Sequence, residues 1–250
     1  MPGISTLETP FGGIWSGVVL VQGPQNILID SGATAEIVDD CLMPALRHEG
    51  LELNNIDLLL NTHCHGDHIG GHYRIRELNS KIKIATYAGS YDKIRDPLKY
   101  SKLIRARFPE YSPLPPTVLK GIEPDLLLED GGVVAGHLRL IHTPGHDDDS
   151  VCWYDMNTKT LICGDSLQFN GTSTQGIGFY QDLKAYRNTL RKLSEIPVNN
   201  IILGHPYNPC GAVAIGQEKA YAFLEECISL VDIYDEFIRN LVNEGENDPV

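Results

Sequence analysis

Four times along this chain a short apolar run stops at a polar turn made of Gly, His and Asp. Asp57-Leu58-Leu59-Leu60 leads into Asn61-Thr62-His63-Cys64-His65-Gly66-Asp67-His68. Leu138-Arg139-Leu140-Ile141-His142 leads into Thr143-Pro144-Gly145-His146. Thr160-Leu161-Ile162-Cys163 leads into Gly164-Asp165-Ser166, and Asn200-Ile201-Ile202-Leu203 into Gly204-His205-Pro206. A buried strand followed at once by such a turn puts reactive side chains on a loop at the end of a rigid scaffold. Only folding can bring the four turns together.

Imidazole and carboxylate are the ligands of zinc and related divalent ions. His63 and His65 stand two apart and can reach one ion from an extended or turning backbone. Asp67 and His68 then face a neighbouring ion, and Gly66 permits the tight turn between the pairs. Neither pair completes a coordination shell; His146, Asp165 and His205 supply what is missing. Three histidines and an aspartate within six positions, next to a buried strand, have no comparable packing explanation. Lone histidines such as His48, His137 and His142 read as structural or surface residues. His72, a turn beyond the cluster, reads as a non-ligand.

The remaining sequence supplies strands and helices around these turns. Residues 17–21, 26–30, 82–85 and 151–154 read as strands. Residues 33–47 have helical periodicity, with Ile37, Leu42 and Leu46 on one face. Further helices are expected at 69–78, 182–193 and 213–242, the last fraying into Glu244, Glu246 and Asp248. Residues 87–117 interrupt the pattern with Tyr87, Tyr91, Tyr100, Phe108 and Tyr111, basic residues and a Pro-rich end, and read as a lid insertion. The run Asn26 to Ser31 is echoed by Thr160 to Ser166, each an apolar strand ending in an acid and a serine. Two such halves predict an α/β sandwich of two sheets with helices outside. With no clear linker, residues 1–250 are expected to form a single domain.

The net charge of −13 disfavours a nucleic-acid polymer or an anionic membrane as partner, because phosphate binding is driven by Lys and Arg. It leaves room for a small-molecule substrate, even an anionic one, since a metal ion dominates its local field. Association into a homo-oligomer is left open. Cys41, Cys64, Cys152, Cys163, Cys210 and Cys227 include no CxxC pair and read as reduced thiols of a cytoplasmic protein. The first residues carry no basic patch or apolar run, so no signal peptide is expected.

The HxHxDH segment from His63 to His68, the TPGH segment, Gly164-Asp165 and Gly204-His205, in that order and preceded by Asp30-Ser31-Gly32, resemble the metallo-β-lactamase superfamily, dinuclear metallohydrolases of αββα fold. The resemblance covers roughly residues 17–205. It implies a four-layer sandwich, two mixed β-sheets with helices on both outer faces. It also implies one metal ion on His63, His65 and His146, a second on Asp67, His68 and His205, and Asp165 bridging them. Asp165 looks more like the lactonase and glyoxalase II branches than the true β-lactamases. Glyoxalase II adds a C-terminal glutathione-binding domain, and only about forty-five residues follow His205 here. Quorum-quenching lactonases place a tyrosine where this chain has Gln168. After the TPGH histidine the family carries small or Gly-containing sequence, where this chain has Asp147-Asp148-Asp149.

The chemistry implied is metal-assisted hydrolysis of a small ester, lactone or thioester. Two divalent ions, zinc foremost with iron or manganese as alternatives, would acidify a bridging water and polarise the carbonyl. Asp67 is the candidate proton shuttle, and Asp30 a candidate for orienting an imidazole. A β-lactamase-like amidase, a mononuclear iron persulfide dioxygenase and a small phosphodiesterase are the other readings. Gln168, Phe169, Asn170, Tyr180 and Tyr207 are candidates for lining a pocket. Cys64 is expected to point away from the ligands beside it, and Cys210 to be inert.

Overall fold

The computed structural model describes residues 3–107, 119–168, 179–207 and 211–243. Among them the chain forms two six-stranded sheets. The first takes β1 (Ile4–Phe11), β2 (Ile14–Val21), β3 (Ile27–Ile29), β4 (Leu58–Leu60), β5 (Lys83–Tyr87) and β6 (Leu126–Leu128), in that order. Its first three strands pair antiparallel and the rest parallel. The second takes β7 (Val133–Val134), β8 (Leu138–His142), β9 (Val151–Asp155), β10 (Thr160–Ile162), β11 (Asn200–Tyr207) and β12 (Gly211–Ile215). Here β10 and β11 are parallel and the other pairs antiparallel.

Residue parity builds the layers, because successive strand side chains point to opposite faces. Val19, Val21, Ile27, Ile29, Leu58 and Leu60 of the first sheet pack against Leu138, Leu140, Trp153, Ile162 and Ile202 of the second. Their neighbours one position away face the other side. Val18, Leu20, Leu28 and Leu59 cover Val38, Leu42, Leu46 and Ile75 from the helical segments of the first half. Cys152, Tyr154, Leu161 and Leu203 pack on Tyr186, Leu190 and Leu193 of the helix Leu183–Ser194, and on Phe223 and Leu224 of the helix Gln217–Asn243. Strands buried on both faces read as continuous apolar runs, which is why β3, β4 and β10 are so plain in the sequence. The αββα sandwich expected from the sequence is the one observed.

Strand ends on one edge of the sandwich are tied by direct bonds, two between the sheets and two within them. Val151 N, at the start of β9, donates to Thr62 O just past β4 at 2.7 Å. The buried Trp153 indole donates to Asn61 O at 2.9 Å. Asp30 N donates to Leu60 O, and Gly204 N to Gly164 O, both at 2.8 Å. These bonds fix the positions from which all four polar turns depart.

Several elements differ from the sequence reading. The expected helix at 213–242 begins later, as Gln217–Asn243, because Ala212 and Ala214 point inward and Val213 and Ile215 outward on β12. That alternation is a strand signal, ended by Gly216 at φ +96°. The helix at 69–78 is two pieces, Gly66–Ile69 and His72–Leu78, the first inside the ligand cluster itself. The helix at 33–47 is a run of Ala35–Ile37, a wide π-turn Val38–Leu42 and Met43–His48. Pro44, just past the π-turn, has no N–H to continue the regular ladder. Strands β1, β6 and β7 had no clear sequence signal. Leu126, Leu127 and Val133 stay half exposed on short edge strands. Within 87–117, short helices occupy Tyr91–Arg95 and Pro97–Arg105, and residues 108–117 lie outside the described residues. No described helix is long and apolar enough to cross a membrane.

Trp153 fills the space between the sheets and also holds the end of β4. Trp153→Ala is expected to cost about 3–5 kcal/mol, the range for removing a buried large aromatic. A urea denaturation midpoint would measure it, and a loss under about 1 kcal/mol would contradict the packing described.

Candidate metal centre

The four turns converge. His63 follows β4 directly, and the turn Gly66–Ile69 carries Asp67 and His68 back over the strand end. His146 sits between β8 and β9, and Asp165 just after β10. His205 lies within β11 rather than beyond it, at a point where pairing with β12 lapses between Ile202 and Tyr207. All seven side chains predicted as ligands meet in three overlapping groups whose candidate donor atoms lie within 4.8 Å of one another. The groups are His63, His65, His146; His63, His68, Asp165; and Asp67, His68, His205.

Hydrogen bonds on the far side of each ring decide which nitrogen faces the centre. His68 Nδ1 donates to Asp30 Oδ2 at 2.8 Å. His205 Nδ1 donates to Trp15 O at 3.0 Å, and His146 Nδ1 to Phe179 O at 2.7 Å. Thr62 Oγ1 donates to Asp30 Oδ2 at 2.8 Å, so it accepts from His63 Nδ1 at 3.1 Å. These four rings therefore present Nε2 inward. His65 is turned the other way: its Nδ1 lies 3.0 Å from His146 Nε2 and its Nε2 faces outward, 3.1 Å from Asp147 Oδ2. Between the groups stands Asp165, with Oδ2 3.5 Å from His146 Nε2 and 3.4 Å from His205 Nε2, and Oδ1 3.5 Å from His68 Nε2. Asp67 Oδ2 lies 3.1 Å from His205 Nε2 and accepts from Ser16 Oγ at 3.1 Å.

Close approach of backbone to side chain makes two glycines in these turns obligatory. A Cβ on Gly204 would stand 2.5 Å from Asp165 Oδ1. One on Gly145, at φ +147°, would stand 2.6 Å from the Tyr186 backbone, where the helix Leu183–Ser194 presses on the His146 loop.

The donor set fits divalent cations. His63 Nε2, His68 Nε2 and Asp165 Oδ1 are buried and make no hydrogen bond within the protein, and inward-facing donors left without a partner call for an occupant. Burial, with the neighbouring histidines adding to it, holds His63 well below the usual imidazole range, and the same effects bring His146 down to about 4. Both are neutral, as ligands must be; at His68 and His205 burial pulls down but the neighbouring carboxylates outweigh it, raising His205 to about 10, so these two rings shed a proton on taking up a cation. Burial pushes the Asp67 and Asp165 carboxyls up, but the His68 and His205 rings outweigh it and keep both ionised.

A sandwich of this topology with this constellation at its edge decides the family. The chain belongs to the metallo-beta-lactamase superfamily. Residues 10–205 match the superfamily's sequence profile. A beta-lactamase-like protein 2 homolog of Drosophila melanogaster is 30% identical over 191 residues, covering 75% of this chain and 56% of that protein. An acyl-coenzyme A thioesterase of Bos taurus is 27% identical over 213 residues, covering 79% and 75%. A metallo-beta-lactamase family protein of Thermus thermophilus superposes with a TM-score of 0.73 at 21% identity, covering 96% of this chain and 82% of that one. The chain spans about half the length of the first curated relatives it matches.

Other candidates from the sequence fall outside the centre. His72 Nδ1 is 2.7 Å from Ser31 Oγ, and His72 belongs to none of the donor groups. Cys64 is buried with its thiol directed at Ser90 O. Tyr180 stacks on Tyr186, and Tyr207 is buried in the second-sheet core. Gln168 is buried too, its Oε1 accepting from Phe179 N and its backbone N donating to Tyr186 Oη, so it packs beside His146 rather than lining a cavity. Phe169, Asn170 and Cys210 lie outside the described residues, as do Glu244, Glu246 and Asp248. Cys41, Cys64, Cys152 and Cys163 form no disulfide. Sequence reasoning missed Thr62 and Ser16. A hydroxyl beside a histidine motif is a weak signal for Thr62, and nothing local marks Ser16.

Asp30 takes three donors at once, from Thr62 N, Thr62 Oγ1 and His68 Nδ1. Asp30→Ala is expected to destabilise the metal-stripped protein by about 3–5 kcal/mol, the range for breaking a buried charge pair. Asp30→Asn, which keeps an acceptor and tolerates the φ of +68°, is expected to lose less. Denaturation midpoints in chelator distinguish the two.

Proposed function

We propose that this protein is a dinuclear metal-dependent hydrolase of thioesters or esters of an apolar acyl group. The observation that carries the reading is a cavity of about 650 Å³ that opens on His65 and Asp67. Its other walls include Phe11, Ile37, Ile104, Leu119 and Phe179. An apolar cavity beside a few convergent polar groups is what a site for such a group requires. A wider groove, about 1090 Å³, lies beyond the helix Pro97–Arg105. It is lined by charges of both signs and reaches none of the candidate ligands. The likeness to a bovine acyl-coenzyme A thioesterase supports a thioester substrate over an oxygen ester alone.

His63, His65 and His146 would hold one ion and Asp67, His68 and His205 the other, with Asp165 shared. Two divalent ions so held supply an acidified water and a Lewis acid for the carbonyl. Asp67 is the proton carrier. Its Oδ2 is steadied by Ser16 and His205, and its side chain borders the cavity, so it can take a proton at the nucleophile's side and deliver it to the departing thiol or alcohol. Tyr100, Ser101 and Ile104 from the helix Pro97–Arg105 line one side of the cavity, which supports reading this segment as a lid. The full second donor group weighs against a one-iron oxygenase. Zinc is the first expectation for such a nitrogen and oxygen set.

Zinc-loaded protein is expected to bind about two ions per chain and to hydrolyse medium-chain acyl-coenzyme A or aryl esters. Chelation is expected to abolish turnover and added zinc to restore it. His65→Ala is expected to lower kcat/KM by at least about 100-fold. Turnover that survives chelation or this substitution would sink the reading, and faster turnover of a chromogenic β-lactam would redirect it to the amidase.

A further inference from the structure

His65 differs from the other candidate ligands. It is the one histidine of the seven residues that is partly exposed, and the one whose inward nitrogen is Nδ1. No backbone carbonyl holds its outer nitrogen as Phe179 O and Trp15 O hold those of His146 and His205. What faces His65 Nε2 is Asp147, the residue straight after the ligand His146, at 3.1 Å and oblique to the N–H direction. This is the start of the acidic run that departs from the family pattern.

Three acids in succession, two of them buried, would repel one another without a cation. Lys93 supplies it. Its Nζ lies 2.7 Å from Asp147 Oδ1 and 2.9 Å from Asp149 Oδ1, and it also contacts the exposed Asp148. The same ammonium sits 4.2 Å above the centre of the Tyr100 ring, and that ring stacks on His65 at 6.3 Å and 22°. Asp147 therefore touches the edge of His65 while Tyr100 covers its face, and Lys93 ties both together. Asp147 Oδ1 also accepts from Asp148 N at 2.7 Å, which leaves Oδ2 for the imidazole.

We propose that Asp147, pinned by Lys93, is a positioning residue that keeps the His65 proton on Nε2 and so commits Nδ1 to the metal. The inference rests on the dinuclear reading above. An imidazole has one proton in its neutral form, and the acceptor on one nitrogen decides which nitrogen keeps a lone pair. Carboxylates in this role set ring orientation and raise ligand basicity, and their loss typically weakens metal binding by about 10–100-fold. Because Lys93 and Tyr100 come from 91–105, the same contacts attach the cavity wall to the metal loop. Cavity and metal site are then held by one cluster.

The test compares zinc-loaded wild type with Asp147→Ala, Asp147→Asn, Lys93→Met and, as control, Asp148→Ala. Zinc affinity is read by competition with a chromophoric chelator, and the His65 protonation site by long-range nitrogen–proton NMR correlations. Wild type is expected to bind two zinc ions with His65 protonated on Nε2. Asp147→Ala is expected to weaken one of the two sites by about 10–100-fold, Lys93→Met to shift in the same direction, and Asp147→Asn, which keeps an acceptor oxygen, to lie near wild type. Asp148→Ala should leave both sites unchanged. A residue that only stabilised the loop would lower the melting temperature and leave affinity and protonation site alone. Two tight sites in Asp147→Ala, or in Asp147→Asn and Lys93→Met together should the alanine variant fail to fold while Asn matches wild type and Met shows no loss, would overturn the proposal. So would a wild-type His65 protonated on Nδ1. Wild type that takes up no zinc would instead overturn the hydrolase reading on which it stands.

Discussion

The buried carboxylate of Asp30 is the constraint on which the rest of the site depends. It stands at the end of β3 with a backbone φ of +68°, a conformation few residues other than glycine adopt. From there it accepts from the backbone and hydroxyl of Thr62 and from the ring of His68. One side chain thus fixes the exit of β4, the orientation of His68 and, through Thr62, the orientation of His63. Ser31 beside it reaches His68 O and His72 at 3.1 and 2.7 Å. Strain of this kind persists only where surrounding bonds over-determine it, and it concentrates at functional sites.

The sandwich makes that arrangement possible because its strands are buried on both faces. Odd positions of β2 and β3 meet the second sheet while even positions meet helices. A shift of one residue would exchange the two faces of a strand and move every turn at its end. The register that packs the core is therefore the register that aims the ligands. Core and site are two results of the same alternation, joined at Trp153 and at the bond from Val151 to Thr62.

How much of this could be read from sequence varies with the range of the interaction. The cluster from His63 to His68 and the doubly buried strands are local patterns, legible as composition and spacing. Strand β12 was mistaken for helix because Ala212, Val213, Ala214 and Ile215 are small and apolar enough for either state; only pairing with β11 decides. The acidic run at Asp147 has no local explanation because its counter-charge, Lys93, is more than fifty positions away. Gln168 looked like a cavity residue, and the helix Leu183–Ser194 instead packs it inward against His146.

Side-chain type and spacing were enough to single out the residues that can bind a cation, to set all but His205 beyond a strand end, and to call for two apolar halves stacked as sheets. These follow from side-chain type and periodicity, which need no long-range contact. How that chemistry is aimed depends on contacts between distant parts of the chain. The inward nitrogen of three of the five histidines is chosen by an acceptor far along the chain: Asp30 for His68, Trp15 for His205 and Phe179 for His146. The cavity likewise draws Phe11, Leu119 and Phe179 from separate stretches of the chain. A proton on one ring nitrogen or the other is settled by a contact of about 3 Å, and such contacts exist only after the chain has closed on itself.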